Sequence, residues 1–201
     1  MAEYRFTTPL DDEPRKLRVG DIVYITGTVI TARDAAHRRA LEVLTRGELL
    51  PVDFHGLAVY HMGPVARKKG DSWEIVSAGP TTSARIETYE ADFLEKTGAK
   101  LVIGKGGMGA KTAEACRRLG TAYTIYTGGA GALAAKSIRK VKGVEWLDLG
   151  SPEALWILEV EDFGPLTVII DSEGRNYYDE VRSHAKANLA EAYRMMGITS
   201  Q

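Results

Sequence analysis

Two short apolar runs, each followed at once by a glycine-rich loop and a helix, constrain this chain more than any other feature. Lys100–Ile103 reads as a strand, GKGGMG follows, and Ala110–Leu119 reads as a helix. Ala122–Tyr126 is the next strand, TGGAGA at 127–132 the next loop, and Ala130–Ile138 the next helix, leading to a strand at Val144–Leu149. Runs this short and this apolar suit strands buried on both faces, and a helix between successive strands makes them parallel. The chain is therefore read as α/β.

The flanking regions fill in the pattern. Residues 1–20 read as extended and polar, since Pro9 and Pro14 oppose a helix. Asp21–Ile30 is β-branched and aromatic, a strand. Thr31 and Asp34 have the spacing of a capping box, and Ala35–Thr45 follows as a helix with Ala36, Ala40 and Val43 or Leu44 on one face, stopped at Gly47. Leu57–His61 and Trp73–Ser77 read as strands, with a Gly79-Pro80 turn after the second. Thr88–Lys96 is a short helix stopped by Gly98. Ala154–Val160 and Leu166–Ile170 are two strands, or a short helix and a strand, and Tyr177–Met195 is a terminal helix. No repeat or linker divides the chain, so one domain is expected over residues 1–201, with an extended segment at 1–20 and a helical tail at 173–201.

Charge removes several function classes. There are 26 basic and 27 acidic residues, a net charge of −1. That balance gives no footing for nucleic acid or an anionic membrane, so any anion site must come from local clusters. Cys116 is the one cysteine. It can form no internal disulfide, and one thiol cannot hold an iron–sulfur cluster, which takes several. The N-terminus is polar rather than a signal peptide, and no apolar run reaches the roughly 20 residues of a spanning helix. A cytoplasmic protein is expected.

Three cations stand where cations are unfavourable. Arg33, Arg85 and Lys105 each follow an expected strand and precede an expected helix. A helix N-terminus carries partial positive charge, so a cation there costs roughly 0.3–1 kcal/mol unless an anion lies between them. If the strands share a sheet edge, the three could converge on one ligand. Two guanidinium forks and one ammonium suit two carboxylates. Any one of them alone would usually be a solvated surface group; the joint pattern is what argues for a site.

Gly104, Gly106 and Gly109 satisfy GxGxxG. A dinucleotide site also needs an acidic residue about 20 residues further on, and none occurs between Thr121 and Ala135. The Walker pattern is absent as well. The loop, including Gly106 and Gly107, still suits an anion cradle of backbone N–H groups. TGGAGA is either a second lining or a tight turn. His37, one turn after Arg33, could hydrogen-bond behind the site or be a structural histidine. His55 and His61 lack metal-ligand spacing, so no metal ligand is expected in this chain. Cys116 is read as packed rather than reactive. Thr81, Thr82 and Ser83 could cap a helix or offer a hydroxyl.

In order, VGDIVYITGTVITARDAAHRR, YHMGPV, SAGPTTSARIE, TGAKLVIGKGGMG and PEALWILEVEDFGPLTV resemble the β-type half of the class I fumarase and L-tartrate dehydratase family, over roughly residues 5–172. The last 25 or so residues carry no such likeness. The resemblance implies a swivelling β/β/α domain with a mixed sheet and flanking helices. It implies reversible hydration of a dicarboxylate double bond, fumarate to (S)-malate first, with tartrate to oxaloacetate or a methylated fumarate as alternatives. A [4Fe–4S] cluster would sit on a cysteine-bearing α subunit, not on this chain; since most assemblies are symmetric, an α2β2 complex is expected. Carried over residue by residue, Arg33 of ARD, Arg85 of GPTTSxR and Lys105 of the glycine loop would bind substrate, with Gly106 and Gly107. Thr81 and Lys105 would take part in the chemistry; by their positions beside Arg33, not by the resemblance, Asp34 and His37 are expected behind them. Ile86 replaces a methionine common in relatives. A non-catalytic dicarboxylate-binding module and a dinucleotide enzyme are the competing classes.

Overall fold

A computed structural model describes residues 1–197. The strands, in chain order, are β1 (Glu3–Thr7), β2 (Ile22–Thr31), β3 (Ala58–Tyr60), β4 (Val65–Lys69), β5 (Ser72–Ser77), β6 (Leu101–Gly104), β7 (Ala122–Ile125), β8 (Ile138–Glu145) and β9 (Leu155–Ile170). The α-helices are α1 (Asp34–Thr45), α2 (Glu87–Thr97), α3 (Ala110–Leu119), α4 (Gly131–Lys136) and α5 (Tyr177–Met195).

β2, β3, β6 and β7 lie side by side and parallel, with Val29 opposite Ala58, Ala58 opposite Leu101, and Leu101 opposite Ala122. β9 runs antiparallel to β7 and then pairs with β2 from Ile22 to Ile30. The sheet thus closes on itself as a five-stranded ring, mixed rather than all-parallel. β1 extends it beside the first half of β2, and β8 beside the start of β9.

Alternation along the short strands supplies two cores. Ala58, Tyr60, Leu101 and Ile103 face one way, joining Val23, Ile25, Leu158, Leu166 and Val168 in the ring. Val59, Val102 and Tyr123 face the other way, against Ala36 and Ala40 of α1, Phe93 and Leu94 of α2, and Ala115 and Cys116 of α3. The small residues on α1 and α3 let those helices lie close to the sheet. The apolar runs are continuous because both faces are covered.

Most expected elements form within a residue or two of the expected bounds, α5 and α3 without any shift. Several differ for identifiable reasons. Residues 1–20 are not merely extended: they hold β1 and a short 3₁₀ turn at Glu13–Lys16, with Pro14 in its first turn where its missing N–H costs nothing. Thr31 and Asp34 form no capping box. Thr31 ends β2, buried, where its hydroxyl donates to the Ala154 carbonyl (3.2 Å) and accepts from the Trp156 N–H (3.0 Å), leaving Arg33 at the cap.

The expected strand at Val144–Leu149 is displaced. The strand is Ile138–Glu145, and 147–149 is a 3₁₀ turn. Arg139, Lys140 and Lys142 interrupt the apolar alternation that would mark a strand, and such charges keep an outer strand from pairing with other chains. The two expected strands at 154–160 and 166–170 are one. Asp162, in the left-handed region at φ +51°, and Gly164 sit where the β2 pairing shifts register, so a bulge carries the strand through Gly164-Pro165 instead of ending it. β4 has no counterpart among the expected elements: it is a charged, outward strand whose pattern is legible only from its hairpin partner β5.

Candidate active site

Because β2, β3, β6 and β7 are parallel, their C-terminal ends share one edge, the end at which parallel strands of α/β folds, open or closed, carry their ligand-binding loops. Arg33 follows β2, His61–Pro64 follows β3, the Lys105 loop follows β6 and Thr127–Ala130 follows β7. The Thr81–Arg85 segment is stitched across this edge. Thr81 N–H donates to the His61 carbonyl (2.7 Å) and Ser83 N–H to the Lys105 carbonyl (3.1 Å), while Lys105 N–H donates to Ser83 Oγ (3.3 Å). Gly104 is required here, since a β-carbon would collide with the Ser83 hydroxyl. Arg33, Thr81, Arg85, Lys105, Gly106 and Gly107 therefore occupy one neighbourhood.

The cations are not equally free. Arg33 occupies the N-cap of α1, its Nε 3.3 Å from Glu153 Oε1. The other Glu153 oxygen accepts from the Ala35 N–H at 2.8 Å. The anion expected between Arg33 and the helix end is thus one of the protein's own carboxylates. The Arg33 Nη1 passes so close to Gly63 that a β-carbon there would lie 2.9 Å away. Arg85 pairs with Asp34 Oδ2 at 3.0 Å, and its side chain is 54% exposed against 19% for Arg33. Asp34, expected behind the site, thus anchors Arg85. Lys105 runs past Gly128 and makes no ion pair among the described residues.

The anion cradle expected at the start of α3 is already filled. Glu87 Oε2 accepts from the Gly109 N–H (2.7 Å) and from the Thr112 hydroxyl (2.7 Å), and Oε1 accepts from the Thr112 N–H (3.3 Å). A carboxylate at a helix N-terminus satisfies orphan donors and the helix dipole together. Glu87→Ala is expected to lower unfolding free energy by about 1–2 kcal/mol. Urea denaturation measures this, and amide exchange should quicken first at the start of α3.

The glycine loop keeps its own geometry. Gly106 has φ +73°, and its carbonyl accepts from the Tyr123 hydroxyl at 2.9 Å. The start of α5 roofs the loop. The Tyr178 ring lies 3.0 Å from where a Gly107 β-carbon would be, and Asn176 Nδ2 donates to the Met108 carbonyl at 3.1 Å. The start of the tail, silent in the sequence, is thus a support of the loop. In TGGAGA, Gly131 is a close-approach residue, since a β-carbon would collide with the Ser77 hydroxyl and lie 2.9 Å from Gly79 N.

Behind the edge lies a buried polar group. His37 Nδ1 meets the Arg33 carbonyl at 2.9 Å, and His61 Nδ1 meets Ser83 Oγ at 3.0 Å. Glu90 Oε2 is 2.9 Å from His61 Nε2 and 3.7 Å from His37 Nε2, and all three side chains are fully buried. Burial pushes the His37 pKa down to about 4, against the pull of Glu90, which disfavours its charged form. Burial alone would raise the Glu90 carboxyl, but the histidines outweigh it and hold it below its ordinary value. Glu87, Glu90, Glu153 and Tyr178 had no signal in the sequence, because each meets its partner only through the fold; the Ser83 hydroxyl, one of those expected to cap a helix or offer a hydroxyl, instead joins His61 to the Lys105 N–H. Burial pushes the Cys116 thiol up to about 12, so it is packed, as expected, and no set of thiolates here fits an iron–sulfur cluster.

The sequence profile described as "Fumarase C-terminus" matches residues 6–181, most of the chain and all of this edge. The chain belongs to the fumarase C-terminus family. Among relatives of this family member, the L(+)-tartrate dehydratase subunit beta of Escherichia coli (strain K12) is 47% identical over 175 residues, 87% of this chain and 86% of the relative. A protein of Methanocaldococcus jannaschii provisionally named L(+)-tartrate dehydratase subunit beta is 44% identical over 190 residues, 94% of this chain and 97% of the relative. A protein of Geobacillus stearothermophilus provisionally named fumarate hydratase class I is 40% identical over 182 residues, 90% of this chain but 34% of that longer relative. The fumarase C-terminus domain thus occurs both as a separate subunit-sized chain and within a longer one. No described helix is long and apolar enough to cross a membrane.

Proposed function

We propose that this chain is the β subunit of a hydro-lyase acting on a four-carbon dicarboxylate, with fumarate and (S)-malate as its substrate pair. The observation that carries the reading is the meeting of the Arg33, Thr81–Arg85 and Lys105 segments at one sheet edge. The names of the relatives support the reaction class.

Removing a proton beside a carboxylate loads negative charge onto that carboxylate. Arg85, exposed and steadied by Asp34, and Lys105, unpaired among the described residues, would stabilise that charge and orient the substrate. Arg33 would take the second carboxylate through its guanidinium, displacing the Glu153 carboxylate that rests against it. Thr81, fixed by its backbone bond to His61, would offer a hydroxyl to the proton path. A [4Fe–4S] cluster, which this chain's single buried cysteine does not fit, belongs in this proposal to an α subunit, in an α2β2 assembly in the cytoplasm.

L(+)-tartrate is the second reading, favoured by the names of the relatives at 47% and 44% identity. Anaerobic co-expression with the α-type chain, followed by kinetics on fumarate, (S)-malate and L(+)-tartrate, separates them. The expected result is a kcat/KM for fumarate at least about tenfold above that for tartrate, which is about 1.4 kcal/mol of discrimination. The reverse ranking moves the assignment to tartrate. No turnover of any of the three by an assembled, cluster-loaded complex sinks the hydro-lyase reading. The chain alone should be colourless and inactive.

A further inference from the structure

We propose that His37, His61 and Glu90 form a binding site for one divalent transition-metal ion of the zinc class. The site is independent of the substrate reading. Its residues are far apart in sequence and come from α1, the end of β3 and α2.

The case begins with unpartnered atoms. Four buried polar atoms meet at this point without a well-directed hydrogen bond: His37 Nε2, His61 Nε2, Glu90 Oε1 and Glu90 Oε2. Buried polar groups are almost always paired, and a cluster of exceptions calls for a water or an ion. The protonation pattern favours an ion. The Arg33 carbonyl can only accept, so His37 Nδ1 must carry the proton. In a neutral ring that leaves Nε2 with a bare lone pair, 3.7 Å from a carboxylate oxygen. Two electron-rich atoms then face each other in a site without water exposure, which is unfavourable unless a positive species lies between them.

Geometry and donor chemistry agree on what that species is. The ligand atoms all lie within 4.8 Å of one another. Bonds of about 2.0–2.1 Å in a tetrahedron place neighbouring ligands about 3.3–3.4 Å apart. The two separations at Glu90 Oε2, 2.9 and 3.7 Å, bracket that value. Two imidazole nitrogens and a carboxylate, able to bind through both oxygens, suit zinc and its neighbours. Calcium and magnesium prefer oxygen ligands. Each histidine is also held at its other nitrogen by an oxygen, the Arg33 carbonyl and the Ser83 hydroxyl, as metal-bound histidines usually are.

Those two holding groups belong to the candidate active site. An ion here would tie the Arg33 N-cap to the Ser83 turn, and through Ser83 Oγ to the Lys105 amide. Its role would be to fix these segments, not to touch substrate. The alternative is a proton in its place, a buried imidazolium–carboxylate pair between His61 and Glu90.

The test uses the full chain. It is unfolded in urea, refolded with zinc chloride or with EDTA, freed of loose metal by gel filtration, and measured for zinc content and thermal midpoint. The expected result is about one zinc per chain and a higher midpoint than the EDTA-refolded protein. Glu90→Gln, close to isosteric, should lose the zinc, and Cys116→Ala should keep it. A folded chain that binds no zinc, with the same midpoint in both conditions, overturns the site in favour of the proton. So does zinc retained undiminished by folded Glu90→Gln. If that variant does not fold, the wild-type stoichiometry still decides.

Discussion

Lys105→Ala should lower kcat/KM of the assembled complex by roughly 10²–10³-fold, the usual loss for one preorganised charge-stabilising donor, while barely changing the chain's stability. Lys105 is held through its main chain: its carbonyl and N–H both bind Ser83, and neither bond needs the side chain. Its ammonium makes no ion pair among the described residues, so the substitution strands no buried charge. Surface changes of this kind usually stay within about 0.5 kcal/mol. A large kinetic loss on an unaltered urea midpoint separates this role from a structural one. Arg85→Ala should lose a similar amount, plus the repulsion of an uncovered Asp34 carboxylate. The double change with Asp34→Asn should then recover part of it. Near-normal turnover by the Lys105 variant would remove that residue from the proposed chemistry.

Trp156→Ala should cost about 3–5 kcal/mol of unfolding free energy, the range for truncating a large buried aromatic. For a chain of this size that is a fall in melting temperature of about 6–20 °C. Trp156 is fully buried at the start of β9. Its ring stands edge-on to Trp73 of the hairpin, centroids 5.2 Å apart at 89°. Its indole N–H donates to the Ser151 carbonyl at 2.9 Å, leaving that acceptor unpaired when the ring is lost. The hairpin, the turn at Ser151–Glu153 and the ring all lean on this side chain. Urea titration reads the cost directly, and a loss below about 1 kcal/mol would show that the cavity collapses around the smaller residue.

The sequence was most legible where local pattern and fold agree. The βα units from 100 to 126 and the long α5 follow from period and glycine placement alone. Ring closure was not legible, because it depends on β9 bending through Asp162–Pro165 rather than stopping at a turn-like dipeptide. At the candidate site, the positions of Arg33, Arg85 and Lys105 could be read from the helices they precede, although β5, the strand before Arg85, lies in the separate hairpin and not at the shared sheet edge. Their partners could not. Asp34 lies beside Arg33 in the chain yet serves Arg85, and Glu153 reaches α1 from the far end of the sequence. Carboxylates at such distances are indistinguishable from solvated surface charge until the backbone places them. The same holds for Glu87, whose capping of α3 replaced the free cradle that the glycines suggested.

Glu153 bears on selectivity as well as architecture. It sits on Arg33 as a tethered rival, always present at high local concentration. A small monoanion that gains one contact at Arg33 must displace it for little return. A longer dianion reaching the other cations at the same time gains enough to win the exchange. This edge should therefore ignore acetate and chloride at concentrations where a two-ended acid already binds.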